Sequence, residues 1–125
     1  MANALTLDVA KSWIALHRSE PNSHEYEENY WAFSKVYDLC HSDPDKALEM
    51  ILEIVQLDSS ELILANIGSG PMEELLFEHG LSVIDRVEEM AINNPAFRKM
   101  LGAVWRNEID DGVWTRLKRV ADRPF

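Results

Sequence analysis

The sequence predicts an all-α protein. Apolar residues recur at three- and four-residue spacings along nearly all of it, and residues that start and stop helices punctuate the pattern. No stretch alternates over five residues with β-branched enrichment. At 125 residues the chain is expected to form one domain, residues 1–125, burying about two-thirds of its unfolded surface. Its hydrophobic content of 46% is enough for a core, and its charged content of 27% is too balanced for disorder.

Seven or eight short helices account for the pattern. Val9, Ala10, Trp13 and Leu16 mark the buried face of a first helix, which Pro21 and neighbouring cap residues end. In the second, Tyr26, Tyr30, Phe33, Tyr37 and Cys40 step by four and three, a stripe expected to face the core. Asp43 as N-cap and Pro44 at the first helical position start the third, with Ala47, Leu48, Ile51, Ile54 and Val55 inward. A short fourth helix, capped by Ser59 or Ser60, is expected to stop at Gly68. A fifth runs from Pro71 to His79 with Gly80 just past its end. Val83, Ile84, Val87, Met90 and Ala91 belong to a sixth, and Phe97, Leu101, Val104 and Trp105 to a seventh that restarts at Asn94-Pro95. Val113, Trp114, Leu117 and Val120 mark the last. The Asp-Pro and Asn-Pro restarts allow HEAT-like helix pairs, although a compact bundle fits two restarts better.

The stretch "LILANIGSGPMEELLFEHG", Leu62–Gly80, admits two readings. "LANIGSGP" resembles the first motif of class I S-adenosylmethionine-dependent methyltransferases, in which a strand leads into a Gly-x-Gly turn beside the cofactor. Asn66 stands where an acidic residue is usual there, and Met72 where a further glycine commonly follows. The alternative is a helix–turn–helix corner, with Gly70 as N-cap, Pro71 at N1 and Glu73 at N3, able to cap the turn. Glu73 and Glu74 would already neutralise that helix start and repel a phosphate. The corner is therefore preferred, with Gly68, Gly70, Pro71, Glu73 and Gly80 as structural turn residues and no cofactor.

Charge narrows the function classes. The net charge is −10, with 5 basic and 18 acidic side chains in residues 1–90 and 7 basic and 4 acidic in residues 91–125. Such a body repels nucleic-acid backbones and suits a basic protein partner. No run of 18 apolar residues exists to span a membrane, and no basic leader precedes an apolar run. The lone Cys40 excludes an internal disulfide and fits a reducing, cytoplasmic setting. His24, Glu25 and Glu28 look superficially metal-like but lack a second half-site, and Cys40 and His41, being adjacent, point apart on a helix. Neither a catalytic constellation nor a metal set is expected.

Trp31 lies about 120° round the second helix from the aromatic stripe, on the side of Glu27 and Asp38. It either anchors a partner or covers a second neighbour together with Leu39. Glu25, Glu27, Glu28, Asp38, Asp43 and Asp45 surround it in sequence, which makes this helix the candidate interaction face. The chain as a whole resembles a family of small bacterial helical proteins described only as a domain of unknown function. The resemblance rests on "YWAF" at Tyr30–Phe33, "DPDKAL" at Asp43–Leu48, "GSGPMEELLFEHG" at Gly68–Gly80 and "NPAFRKMLGAVW" at Asn94–Trp105, and covers residues 26–114. It implies an all-α fold and no activity. The expected role is a non-enzymatic protein that covers a basic partner, as bacterial immunity proteins and antitoxins do. The alternatives are a helical-repeat scaffold and a degenerate S-adenosylmethionine-binding enzyme.

Overall fold

A computed structural model describes residues 4–125. They form α1 (Ala4–Arg18), α2 (His24–Ser42), α3 (Pro44–Leu57), α4 (Glu61–Ile67), a π-helical segment (Gly68–Met72), α5 (Glu73–Asn93), α6 (Pro95–Leu101) and α7 (Asp111–Val120). There is no strand among the described residues, and none of their helices is long and apolar enough to cross a membrane.

Capping explains most of the helix starts. Ser23 accepts from Tyr26 N at 3.1 Å to open α2, and Asp43 accepts from Lys46 N at 3.2 Å to open α3 with Pro44 behind it. Ser60 opens α4, and Asp110 accepts from the amides of Gly112 and Val113 to open α7. Arg18 at the end of α1 bonds both Asp58 (2.7 Å) and Ser60 (2.9 Å), tying that helix to the α3–α4 junction. Asn94 makes no such cap; its side chain instead bonds Met90 O and Gln56.

α3 sits at the centre, packed on α1, α2, α5 and α6, while α5 also packs on α2 and α7. Helices gathered around a shared centre differ from the neighbour-only stacking of helical repeats. Every fully buried side chain among the described residues is apolar, so all the charge lies towards solvent.

Three expectations need correcting. In α2 the buried residues are Ala32, Val36 and Cys40, whereas Tyr30 (44%), Phe33 (37%) and Tyr37 (45%) are exposed. Spacing puts the rings on one face but does not say which face turns inward. Small side chains let α2 lie close against α1, and the rings fall roughly 100° round the helix from that contact. Second, the glycine stretch is no corner. Leu62–Ile67 is helical, and Gly68 (φ −63°, ψ −46°) continues the helix into the π segment and on into α5. Pro71 removes an amide and its ring clashes with the carbonyl four residues back, and the wider π turn accommodates this without breaking the run. Gly68 is needed for contact rather than turning: a Cβ there would stand 2.6 Å from Met100 O and 2.7 Å from Ala103 Cβ. The strand required by the methyltransferase-like reading is therefore a helix.

Third, the helix expected to stop at His79 does break there, but as a kink between two helical segments of α5 and not as a left-handed cap at Gly80. The helix kinks at His79 (φ −133°, ψ 20°) and continues, with Gly80 pressed against Val113 of α7. Glu73 sits inside the helical run rather than capping a turn, and its carboxylate accepts from Trp105 N (3.0 Å) and Asn107 Nδ2 (2.6 Å). It thereby holds the loop after α6, which ends at Leu101 and leaves Trp105 70% exposed beyond the helix.

Candidate binding face

On the side of α2 next to α5, the rings form a ladder. Tyr26 and Tyr30 lie 5.9 Å apart between centroids, Tyr30 and Phe33 5.4 Å, Phe33 and Tyr37 6.4 Å, and Tyr37 and the His41 ring 4.6 Å. Offset and tilted rings at these spacings stabilise one another while leaving their faces accessible. Between this ladder and the π segment runs a groove of about 160 Å³, lined by Trp13, Phe33, Tyr37, Ser69, Gly70, Pro71, Glu73 and Glu74. Trp13 is almost fully buried, and its indole N–H has no hydrogen-bond partner. Glu73, Glu74 and Phe77 also border an open hollow with Asn107 and Glu108, which carries the acidic, aromatic surface around α5.

Beneath the groove, Cys40 donates its S–H to Pro71 O (3.3 Å), giving that carbonyl of the π segment a partner. Burial, reinforced by the charge of Glu74, pushes the Cys40 thiol up to about 12, so it stays protonated at neutral pH. At the end of the ladder His41 stands between two carboxylates: Nε2 is 3.3 Å from Glu74 and Nδ1 is 3.6 Å from Glu78. The Nε2 contact has ion-pair distance without hydrogen-bond geometry, so that buried nitrogen has no hydrogen-bond partner. His79 Nε2 lies 2.7 Å from His41 O and fixes the end of α2 against α5.

Chemically, this is a cation-attracting surface. Aromatic faces carry negative quadrupole charge, and ionised carboxylates beside them add to it. Elsewhere four aspartates are matched by arginines, Asp58 by Arg18, Asp45 by Arg86, Asp122 by Arg98 and Asp111 by Arg106. Arg116 of α7 is held by both Asp85 and Glu88 of α5, so part of the basic C-terminal segment docks on the acidic body. A further hollow of about 450 Å³ lies among Trp105, Trp114, Phe125, Arg106 and Lys118, and no carboxylate or histidine lines it.

The residues singled out from sequence divide. Trp31 is 47% exposed, and Glu25, Glu27 and Asp38 are exposed around it on α2. Glu28 pairs with the still more exposed His24 at 3.3 Å. Asp43 is occupied as the cap of α3, and Asp45 is engaged by Arg86. The sequence reading missed Glu74, Phe77 and Glu78 as a surface, and assigned Phe33 and Tyr37 to the core. Glu74 and Glu78 at a four-residue spacing were visible, but His41 joins them only across the α2–α5 contact.

The chain belongs to the family of unknown function DUF6869, whose model matches residues 19–125. Comparison with curated proteins and with solved structures gives no match.

Proposed function

We propose that this member of the family is a non-enzymatic binding protein for a basic protein partner, of the bacterial immunity-protein or antitoxin type, acting in the cytoplasm. The observation that carries the reading is the exposed ladder Tyr30–Phe33–Tyr37 beside the carboxylates Glu74 and Glu78, which no lysine or arginine pairs among the described residues. Rings of this kind supply most of the energy of a protein interface once desolvated, and carboxylates around them speed encounter with a basic surface. The acidic ridge of Glu27 and Asp38, with Trp31 beyond it, extends the face originally expected on α2.

The test takes as partner any basic protein that a neighbouring reading frame proves to encode, with surface-plasmon kinetics at several salt concentrations. Replacing Phe33 and Tyr37 together by Ala should weaken the complex at least about 30-fold, chiefly through faster dissociation. Glu27→Lys with Glu28→Lys should slow association and flatten its salt dependence. Association indifferent to salt, or full affinity in the double alanine variant, would overturn the reading.

A further inference from the structure

We infer that His41, Glu74 and Glu78 form a binding site for a divalent transition-metal ion of the Zn²⁺ class, a site that shares Glu74 and Glu78 with the partner face above but does not rest on the partner reading. One ligand atom from each residue lies within 4.8 Å of the others. Metal–ligand bonds of roughly 2.0–2.2 Å hold adjacent donors about 3–4 Å apart, so closing the set takes only small side-chain movements. Glu74 and Glu78 occupy one face of α5 four residues apart, and His41 reaches them from α2. The backbone of His41 is already fixed there by His79.

Two further observations point to a cation. Among the described residues no lysine or arginine pairs with these two glutamates, and a single histidine stands between them. His41 Nε2 is buried without a hydrogen bond, a nitrogen lone pair or N–H left unsatisfied. A bound ion would give that nitrogen a partner and offset the repulsion between the carboxylates. One imidazole with two carboxylates suits Zn²⁺ better than Mg²⁺, which takes oxygen donors and keeps its waters. The three side chains are 34%, 30% and 37% exposed, and Glu74 also lines the groove. Cys40 is not a ligand, since its thiol is buried and bonded to Pro71 O.

The experiment is calorimetric titration of the full chain with ZnCl₂, with MgCl₂ as the comparison ion, and thermal unfolding of every variant without metal. One Zn²⁺ should bind per chain with micromolar affinity or better, and Mg²⁺ should give no saturable heat. Glu74→Gln, Glu78→Gln and His41→Asn should each weaken Zn²⁺ by at least about tenfold, since even outer partners of a metal site are worth about 10–100-fold. His24→Ala, which removes the other histidine–glutamate pair, should leave binding unchanged. With Co²⁺ as probe, His41→Asn should also remove the visible d–d absorption. No saturable Zn²⁺ binding, or binding that survives the three variants and is lost with His24→Ala, would overturn the site. Retained cooperative unfolding of the glutamine variants separates lost ligation from lost fold.

Discussion

The helical run from Glu61 to Asn93 has two flanks built from the same residue types and treated in opposite ways. On the α6–α7 flank, Gly68 is pressed on Met100 and Ala103, Gly80 on Val113, and the carboxylates of Asp85 and Glu88 clamp Arg116. On the α2 flank, a Cβ on Gly70 would meet nothing within 4 Å, and Glu74 and Glu78 face a histidine. The first flank uses glycine and charge to close a contact; the second leaves Gly70 open and sets its two glutamates beside a histidine. The difference teaches that residue type alone does not separate a structural glycine or glutamate from an available one. What each residue meets across the interface does.

The largest effect should come from substituting the two glycines. Gly68→Ala forces a methyl against a backbone carbonyl and should destabilise by about 3 kcal/mol, a fall in Tm of roughly 10 °C. Gly70→Ala should instead stabilise by about 0.5–1 kcal/mol, because its helical backbone accepts alanine and the unfolded chain loses freedom. Equal melting temperatures for the two variants would mean that the flanks do not differ as described. The same contrast on α2 is smaller. Val36→Ala should cost about 2 kcal/mol, and Tyr37→Ala less than about 1 kcal/mol, by urea unfolding. The reverse order would put the ring stripe back in the core.

The remaining predictions sharpen the picture without large changes in stability. Cys40, buried and with its thiol pushed up to about 12, should resist a thiol reagent at mildly alkaline pH until urea opens the fold. Fast labelling in the native state would show that α2 is not seated on the π segment. Away from both flanks, the Arg18 guanidinium bonded to Asp58 holds its carboxyl down at about 2, from an ordinary 3.8. The native pKa is depressed, so this carboxylate's contribution is complete above the ordinary value and is lost as pH falls through about 2. In Arg18→Ala, an NMR titration of Asp58 should move back towards 3.8.

Much of the fold was legible. The caps Asp43 and Ser60, the proline starts at Pro44 and Pro95, and the inward residues of α1, α3 and the second half of α5 follow from local chemistry and helical period. The stretch Gly68–Glu73 was misread because Gly-Ser-Gly-Pro carries every local signal of a chain reversal, whereas the break at His79 was seen. Only the wider π turn and the seat of Gly68 on α6 keep the helix running. The aromatic stripe of α2 was seen as a stripe and turned the wrong way. The His41–Glu74–Glu78 cluster was only half visible, since Glu74 and Glu78 stand four residues apart but His41 lies more than 30 positions away in sequence.

By itself, then, the sequence determined that this chain is helical, where most helices begin, and that its body is acidic, because propensity, capping and composition act over a few residues at a time. The tertiary structure alone decided which face of α2 is buried, whether a glycine bends the chain or admits a neighbour, and which carboxylates find an arginine. Those outcomes depend on what distant segments place opposite each residue, and periodicity along one helix carries no information about that.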